Sequence, residues 1–147
     1  MKKSVLFLAA LMCMMLNTVS TSARDKIILA EQLPAAAKTF IQETFPGQGI
    51  TYAKIDRDNG KKMYEVRLNN GVELKFNKKG EWDKVDCNYS AVPEYLVPAT
   101  ISNYVKTNFA DATIVKIDKE RYGYKVELSN DLDLKFNKQG MLVNIDD

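Results

Sequence analysis

Histidine is absent from the 147 residues, and cysteine occurs only twice, at Cys13 and Cys87. Without an imidazole the chain can form neither a Ser-His-Asp triad nor a Cys-His pair, and it has no histidine ligand for zinc. Paired carboxylates remain available for acid–base chemistry, but the acidic residues alternate with Lys and Arg along the candidate strands. Since that alternation is typical of a solvated sheet face, we predict a protein that is not an enzyme and that uses no cofactor.

Residues 1–23 have the pattern of a secretory signal peptide, with two lysines, an apolar run over 5–16 and small residues at 21–23. The apolar run is too short to anchor the chain across a bilayer. We therefore expect a periplasmic or secreted protein with no membrane span after signal cleavage. Cys13 would be the attachment site of a lipoprotein, but the bulky residues before it argue against lipidation.

An excess of charge of either sign is also missing once the signal peptide is removed. The signal contains two lysines and no acidic residue, so 21 − 2 = 19 cationic residues remain against 19 acidic ones. A net charge of zero gives no long-range attraction to nucleic acid. The one remaining cysteine, Cys87, cannot form an internal disulfide, and it is either a small buried strand residue or a reactive or dimer-forming thiol.

A stretch of alternating residues occurs twice, at 64–80 and at 124–140. In both copies apolar residues occupy every second position, which predicts strands with one buried face and one solvated face. Asn70-Gly71 fits the tight turn between the two strands of the first copy. Asn77–Gly80 and Asn137–Gly140 fit a second turn followed by a bulge. The repeated stretch therefore predicts two antiparallel hairpins.

Each hairpin is preceded by a helix signal, Leu33-Pro34 or Val97-Pro98, and by apolar residues at spacings of three and four. A strand at about 50–57 and another at 81–87 complete the first unit. The pattern predicts an α+β fold, in which two tandem helix-plus-four-strand repeats form a sheet of roughly eight strands with the helices on one face. The predicted segments are an N-terminal lead at 24–32, repeat 1 at 33–87, a linker at 88–96 and repeat 2 at 97–147.

Several motifs recur in both units, in the same order. They are Leu/Val-Pro, Lys-Ile-Asp at 54–56 and 116–118, Tyr-x-Val-x-Leu at 64–68 and 124–128, and Leu-Lys-Phe-Asn-x-x-Gly at 74–80 and 134–140. Together with the signal peptide, they make the chain resemble the PepSY-like, beta-lactamase-inhibitor-like family of exported proteins, which is common in Bacteroidetes-type bacteria. The resemblance implies an open sheet face that binds another protein. It does not assign any inhibitory contact residue to this chain.

The parity of the strands predicts which side chains lie on the solvated face. Four apolar residues are expected outward among charged neighbours, an arrangement typical of protein-binding patches. A bulge after Gly80 would reverse this parity and place Trp82 in the core instead. The residues predicted to bind a partner are Tyr52, Arg67, Lys75, Trp82, Ile114, Lys135 and Leu142.

Three functions remain open at this point. The leading one is a non-catalytic module that binds a protein or peptide through its sheet face. The second is an envelope structural or stress protein that self-associates through strand edges or helices. The third is a weak metal or small-ligand binder that uses Asp56, Asp58, Asp118 and Glu120. Residues 56–60 resemble the start of a calcium loop, but Arg67 stands where its twelfth residue must be acidic, so we predict no metal site.

Overall fold

A computed structural model describes residues 25–147, so the predicted signal peptide and Cys13 lie outside the described residues. The described chain forms one sheet of nine antiparallel strands that follow one another in chain order. This architecture confirms the predicted α+β fold. The strands are β1 (Lys26–Ile28), β2 (Ile50–Asp58), β3 (Lys61–Leu68), β4 (Glu73–Asn77), β5 (Trp82–Asp86), β6 (Ile114–Glu120), β7 (Gly123–Leu128), β8 (Asp133–Asn137) and β9 (Leu142–Asp146).

Two helices, α1 (Ala35–Thr44) and α2 (Ala99–Asn108), pack against the same face of the sheet. Each follows a proline, which fits a helix start because its missing N–H has no acceptor to lose there. Ala37 and Ile41 of α1 are buried, as are Ile101 and Val105 of α2. The spacing of four places each pair on one side of its helix, so the apolar stripe predicted from the sequence faces the core. We call the opposite, helix-free side of the sheet the outer face.

The turn before the last strand is built in the same way in both repeats. The Asn77 side chain accepts hydrogen bonds from the amides of Lys79 and Glu81 at 2.9 and 3.0 Å. Gly80 has a φ of +83°, and a Cβ there would lie 2.9 Å from the Ala37 nitrogen. This glycine therefore meets two requirements, a left-handed backbone and close contact with α1.

A bulge follows each of these turns, and it reverses the parity of the residues beyond it. In β5, Phe76 pairs with Trp82 while Lys75 pairs with Lys84, so Asp83 is the extra residue. In β9, the same shift makes Val143 the extra residue. The residue just before each bulge consequently lies on the helix side of the sheet.

The strand pairing also corrects the alignment of the two Lys-Ile-Asp motifs. Val66 and Val126 are equivalent, and their partners on the preceding strand are Ala53 and Ile117. Lys54 is therefore the counterpart of Asp118, two residues away from the match suggested by the motif. The sequence match was wrong here because a repeated tripeptide carries no information about which residues it pairs with on the neighbouring strand.

The N-terminal lead contributes a ninth strand that the sequence pattern did not predict. β1 pairs with β2, and Ile28 of β1 lies opposite Ala53. At its other end repeat 1 is joined to repeat 2, because β5 pairs with β6. The ammonium group of Lys119 in β6 lies 3.8 Å from the ring centre of Trp82 in β5, a cation–π contact between the repeats.

Candidate functional site

The outer face carries a row of side chains that runs across all nine strands, perpendicular to their direction. The basic row is the set of residues paired in turn from β1 to β9, and its five cations and two carboxylates give it a net charge of +3. Its members are Ile27, Lys54, Glu65, Lys75, Lys84, Asp118, Lys125, Lys135 and Asn144.

A second row lies two residues further along each strand, about 7 Å away. The acidic row has five carboxylates and two cations, and so a net charge of −3. Its members are Tyr52, Arg67, Glu73, Asp86, Lys116, Glu127, Asp133 and Asp146. The balanced charge of residues 24–147 therefore hides two oppositely charged rows side by side on the outer face.

Ion pairs between the two rows are concentrated in repeat 2. Lys125 lies 2.8 Å from Asp133, and Lys135 lies 2.8 Å from Asp146. Hydrogen bonding to these carboxylates raises the pKa of both lysines. Two cations of the basic row are thus neutralised by the acidic row at the C-terminal side of the sheet.

Lys75 and Lys84 differ from them. They lie directly opposite each other on β4 and β5, where two like charges repel. Among the side chains that the structure describes, no carboxylate is within 4.0 Å of either ammonium group. These two lysines form a cation pair at the middle of the outer face, and the nearest carboxylates on the neighbouring strands are those of Glu65, opposite Lys75, and Asp118, opposite Lys84.

The cation pair lines a depression that we call the groove. The groove has a volume of about 590 Å³ and lies between the β2–β3 and β6–β7 hairpins, whose turns are at the same end of the sheet as the β4–β5 turn. Its lining has five cations and three carboxylates. The lining residues are Asn59, Lys61, Met63, Lys75, Asp83, Lys84, Asp118, Lys119, Glu120 and Arg121.

Three ionisable groups of the groove have perturbed pKa values. Burial raises the pKa of Asp118, although Lys116, Lys84 and Lys125 partly offset this. Burial also raises the pKa of Asp83 and lowers that of Lys119. Poor solvation of charge in a concave site is a common property of binding and catalytic sites. The groove is therefore the candidate functional site.

Four of the seven residues predicted to bind a partner lie on the outer face, but they are not all together. Lys75 lines the groove. Tyr52 and Arg67 are paired at the acidic row of repeat 1, where the Tyr52 hydroxyl hydrogen bonds to Glu65 at 3.1 Å. Burial, followed by this hydrogen bond, raises the pKa of Tyr52. Lys135 lies in repeat 2 and is neutralised by Asp146.

The other three predicted residues are not on the outer face, and their placement was wrong. Trp82 and Leu142 precede the bulges of β5 and β9 and pack against the core, with the Trp82 ring 6.4 Å from that of Phe40. Ile114 also packs against the core, because a bulge separates it from Lys116. Each of the three residues is therefore displaced by a bulge of its own, of the kind considered for Trp82.

The other features considered from the sequence are the thiol of Cys87 and the turn that resembles a calcium loop. Cys87 is buried, and burial raises its pKa to about 11, so its thiol is protonated at neutral pH. Asn59 and Gly60 both have positive φ values, as in a two-residue hairpin turn. Within the part of the chain that the structure describes, no three acidic or cysteine side chains are grouped as metal ligands. No helix among residues 25–147 is long and apolar enough to cross a membrane.

Sequence reasoning missed the groove and its second lysine, Lys84. The pairing of β5 with β6 brings Lys84 and Asp118 together although they are far apart in the chain. A partial signal was present, because the alternation of β4 already placed Lys75 on the solvated side. The inward position of Val85 gives the adjacent Lys84 the same outward parity, but Lys84 was not selected because only the strand pairing shows that it lies opposite Lys75.

Comparisons with known proteins agree with this architecture. A crystal structure of a "putative periplasmic protein" from Bacteroides vulgatus is 43% identical over 86% of this chain and 99% of its own, with a TM-score of 0.80. A second such protein from the same organism, "of unknown function", is 36% identical over 84% of this chain and 99% of its own, with a TM-score of 0.80.

A "putative calcium-regulated periplasmic protein" from Bacteroides thetaiotaomicron is 41% identical over 84% of this chain and 97% of its own, with a TM-score of 0.78. Among curated proteins, none matches the chain. A family model described as "putative beta-lactamase-inhibitor-like, PepSY-like" matches twice, at residues 19–78 and 62–144. The two matches agree with the tandem repeat, and the chain belongs to this PepSY-like family.

Proposed function

We propose that the protein is a non-catalytic, exported binding protein that holds an acidic segment of a partner protein in the groove of its outer face. The observation that carries this proposal is the pair of opposed lysines, Lys75 and Lys84, which have no carboxylate within 4.0 Å among the described side chains. Two opposed ammonium groups repel each other, and a carboxylate placed between them removes that repulsion and accepts hydrogen bonds from both.

The surroundings of the pair support the same kind of ligand. Lys61 and Arg121 line the two sides of the groove and add positive charge, and Met63 offers an apolar surface next to Lys75. The acidic row, about 7 Å away, would repel a ligand that moved off the basic row. The partner segment is therefore expected to lie across the strands, along the basic row.

A direct test measures binding of a synthetic Glu-rich peptide by calorimetry. The double variant Lys75→Ala, Lys84→Ala should bind it at least about tenfold more weakly, a loss of about 1.4 kcal/mol. The matched control is Lys78→Ala, Lys79→Ala, which removes the same charge from exposed turn residues that do not line the groove. Binding should weaken as salt is added, since screening acts on exposed charges. Equal affinities of the two double variants would contradict the proposal.

A second test identifies the partner in its own compartment. A photo-crosslinking residue in place of Met63 should capture a specific envelope protein through the groove. The same residue in place of Met141, which is 65% exposed and lies outside the groove, is the control position. Capture from position 63 should be lost in the Lys75, Lys84 double variant. A crosslink that persists in that variant would show that the groove does not hold the partner.

A further inference from the structure

The inner side of the sheet carries an apolar row that also crosses all nine strands. Eight of its nine members are buried, but Ile145 at the end of the row is 44% exposed. Its counterpart in repeat 1, Val85, is 0% exposed. The row consists of Ile28, Ala53, Val66, Leu74, Val85, Ile117, Val126, Leu134 and Ile145.

The difference between Val85 and Ile145 has a structural cause. β6 pairs with the outer edge of β5 and places Ile117 beside Val85. The amide of Cys87 continues this pairing by donating a hydrogen bond of 2.9 Å to the Val115 carbonyl. In contrast, no strand within residues 25–147 pairs with the outer edge of β9.

Two strand pairs of the fold, β1–β2 and β5–β6, show which residues fit beside the outer edge of a strand like β9. Val85 of β5 lies opposite Ile117 of β6, and Ile28 of β1 lies opposite Ala53 of β2 at the equivalent position. β1 thus occupies on repeat 1 the position that β5 occupies on repeat 2. β9 is the counterpart of β5 in repeat 2, and no strand in the described part of the chain pairs with it as β6 pairs with β5.

The bulge at Val143 does not prevent such pairing, because β5 has the same bulge and still pairs with β6 over Lys84–Asp86. Edge strands are commonly protected from pairing by Lys or Pro, and β9 contains neither. Val143 is 64% exposed beside Ile145. The edge therefore offers both unpaired backbone groups and apolar side chains.

We propose that the outer edge of β9 binds an extended segment of another protein, which pairs antiparallel with Asn144–Asp146 as β6 pairs with Lys84–Asp86. The segment would carry a β-branched apolar residue opposite Ile145, as Ile117 lies opposite Val85. It would carry a cation opposite Asp146, as Lys116 lies opposite Asp86. Asp146 lies opposite Asp133 and is paired with Lys135 on one side, so a cation on its other side would add a second favourable cross-strand charge pair.

The chain supplies its own probe for this proposal, the sequence of residues 113–120 as a labelled synthetic peptide. Fluorescence anisotropy with the full chain should show saturable binding. Ile145→Lys should weaken it at least about tenfold, or about 1.4 kcal/mol, because a cation then lies in the apolar row. Ile27→Lys is the matched control, because Ile27 is an exposed residue of the opposite edge strand. A peptide that carries Ile117→Lys should bind the parent chain weakly. Its affinity should be as low as that of the original peptide for the Ile145→Lys variant.

Amide hydrogen exchange locates the peptide independently of affinity. Exchange of the Ile145 and Asp147 amides, the equivalents of Val85 and Cys87, should slow when the peptide is added. Absence of saturable binding at about 1 mM peptide, or equal binding by the Ile145→Lys variant, would overturn the proposal. A concentration-dependent dimer of the chain alone that Ile145→Lys abolishes would also overturn it, by making a second copy the occupant. The Lys75, Lys84 double variant should bind this peptide normally, so the groove and the edge can fail separately.

Discussion

The two repeats place an aromatic side chain of the helix against a phenylalanine of the sheet in the same geometry. Phe40 and Phe76 have ring centres 5.6 Å apart at 78°, and Tyr104 and Phe136 have ring centres 5.6 Å apart at 79°. This contact between helix and sheet is thus the same in the two repeats, although Tyr104 takes the place of Phe40.

The outer face of the two repeats is related in a different way. Lys54 faces Glu65 in repeat 1, whereas Asp118 faces Lys125 in repeat 2, so the charges have exchanged strands. The pairs remain complementary because attraction between opposite charges does not depend on which strand carries which sign. Close packing constrains the residues of the core far more strongly than pairing constrains those of the surface. Differences in binding between the repeats should therefore arise on the outer face and at the edges.

The largest expected effect tests whether the two cores are equivalent. Phe76→Ala and Phe136→Ala should each lower the free energy of unfolding by about 3–5 kcal/mol, because each removes a fully buried ring. Urea denaturation followed by circular dichroism and by Trp82 fluorescence measures both variants. Since Trp82 lies in repeat 1, a Phe136 variant that leaves the fluorescence transition unchanged would show that the repeats unfold separately.

The next effect compares the equivalent positions of β5 and β9. Val85→Ala should cost about 2 kcal/mol, because the side chain is completely buried. Ile145→Ala should cost less than about 1 kcal/mol, although it removes a larger side chain, because Ile145 is already partly in water. Midpoints from urea denaturation of both variants provide the comparison. Equal losses would mean that the edge of β9 is covered in solution.

A smaller effect concerns the contact between the repeats. Lys119→Met keeps the side-chain stem but removes the charge over the Trp82 ring, and it should cost about 0.5–1 kcal/mol. Lys62→Met is the matched control, since Lys62 lies 5.2 Å from the ring centre of Tyr64 within one repeat. Thermal denaturation of both variants tests this prediction, and a larger loss for Lys62→Met would contradict it.

The smallest effect depends on pH. Because the pKa of Asp118 is raised in the folded protein, the folded state holds this proton more tightly than the unfolded state. The free energy of unfolding should therefore decrease as the pH rises from about 4 through the raised pKa. Asp118→Asn should lack this part of the decrease, so its stability relative to the parent should increase with pH. Urea denaturation over a pH series would contradict this if the two profiles ran parallel.

Several features of the fold could be predicted from the sequence because they are encoded over a few residues. Alternation with period two indicated the strands, and Asn77 and Gly80 indicated a turn that the structure builds from their side-chain hydrogen bonds and positive φ. The prolines before α1 and α2 marked the helix starts. The candidate site was only partly predicted. Lys75 was identified from its own strand, whereas Lys84 was not, because its position opposite Lys75 and beside Asp118 depends on the pairing of β5 with both of its neighbours.

By itself, the sequence determined that a helix-plus-meander unit occurs twice, that its strands have one apolar side, and that histidine-dependent chemistry is excluded. Only the tertiary structure decided which side of the sheet Trp82 occupies, that Lys54 corresponds to Asp118, and that charges from eight of the nine strands align in two opposite rows. The physical reason is that alternation and turns are local, whereas bulges and strand register are fixed by hydrogen bonds between distant segments. The exposure of Ile145 has the same origin. It depends on whether a second strand pairs with the outer edge of β9, and the residues of β9 alone do not decide this.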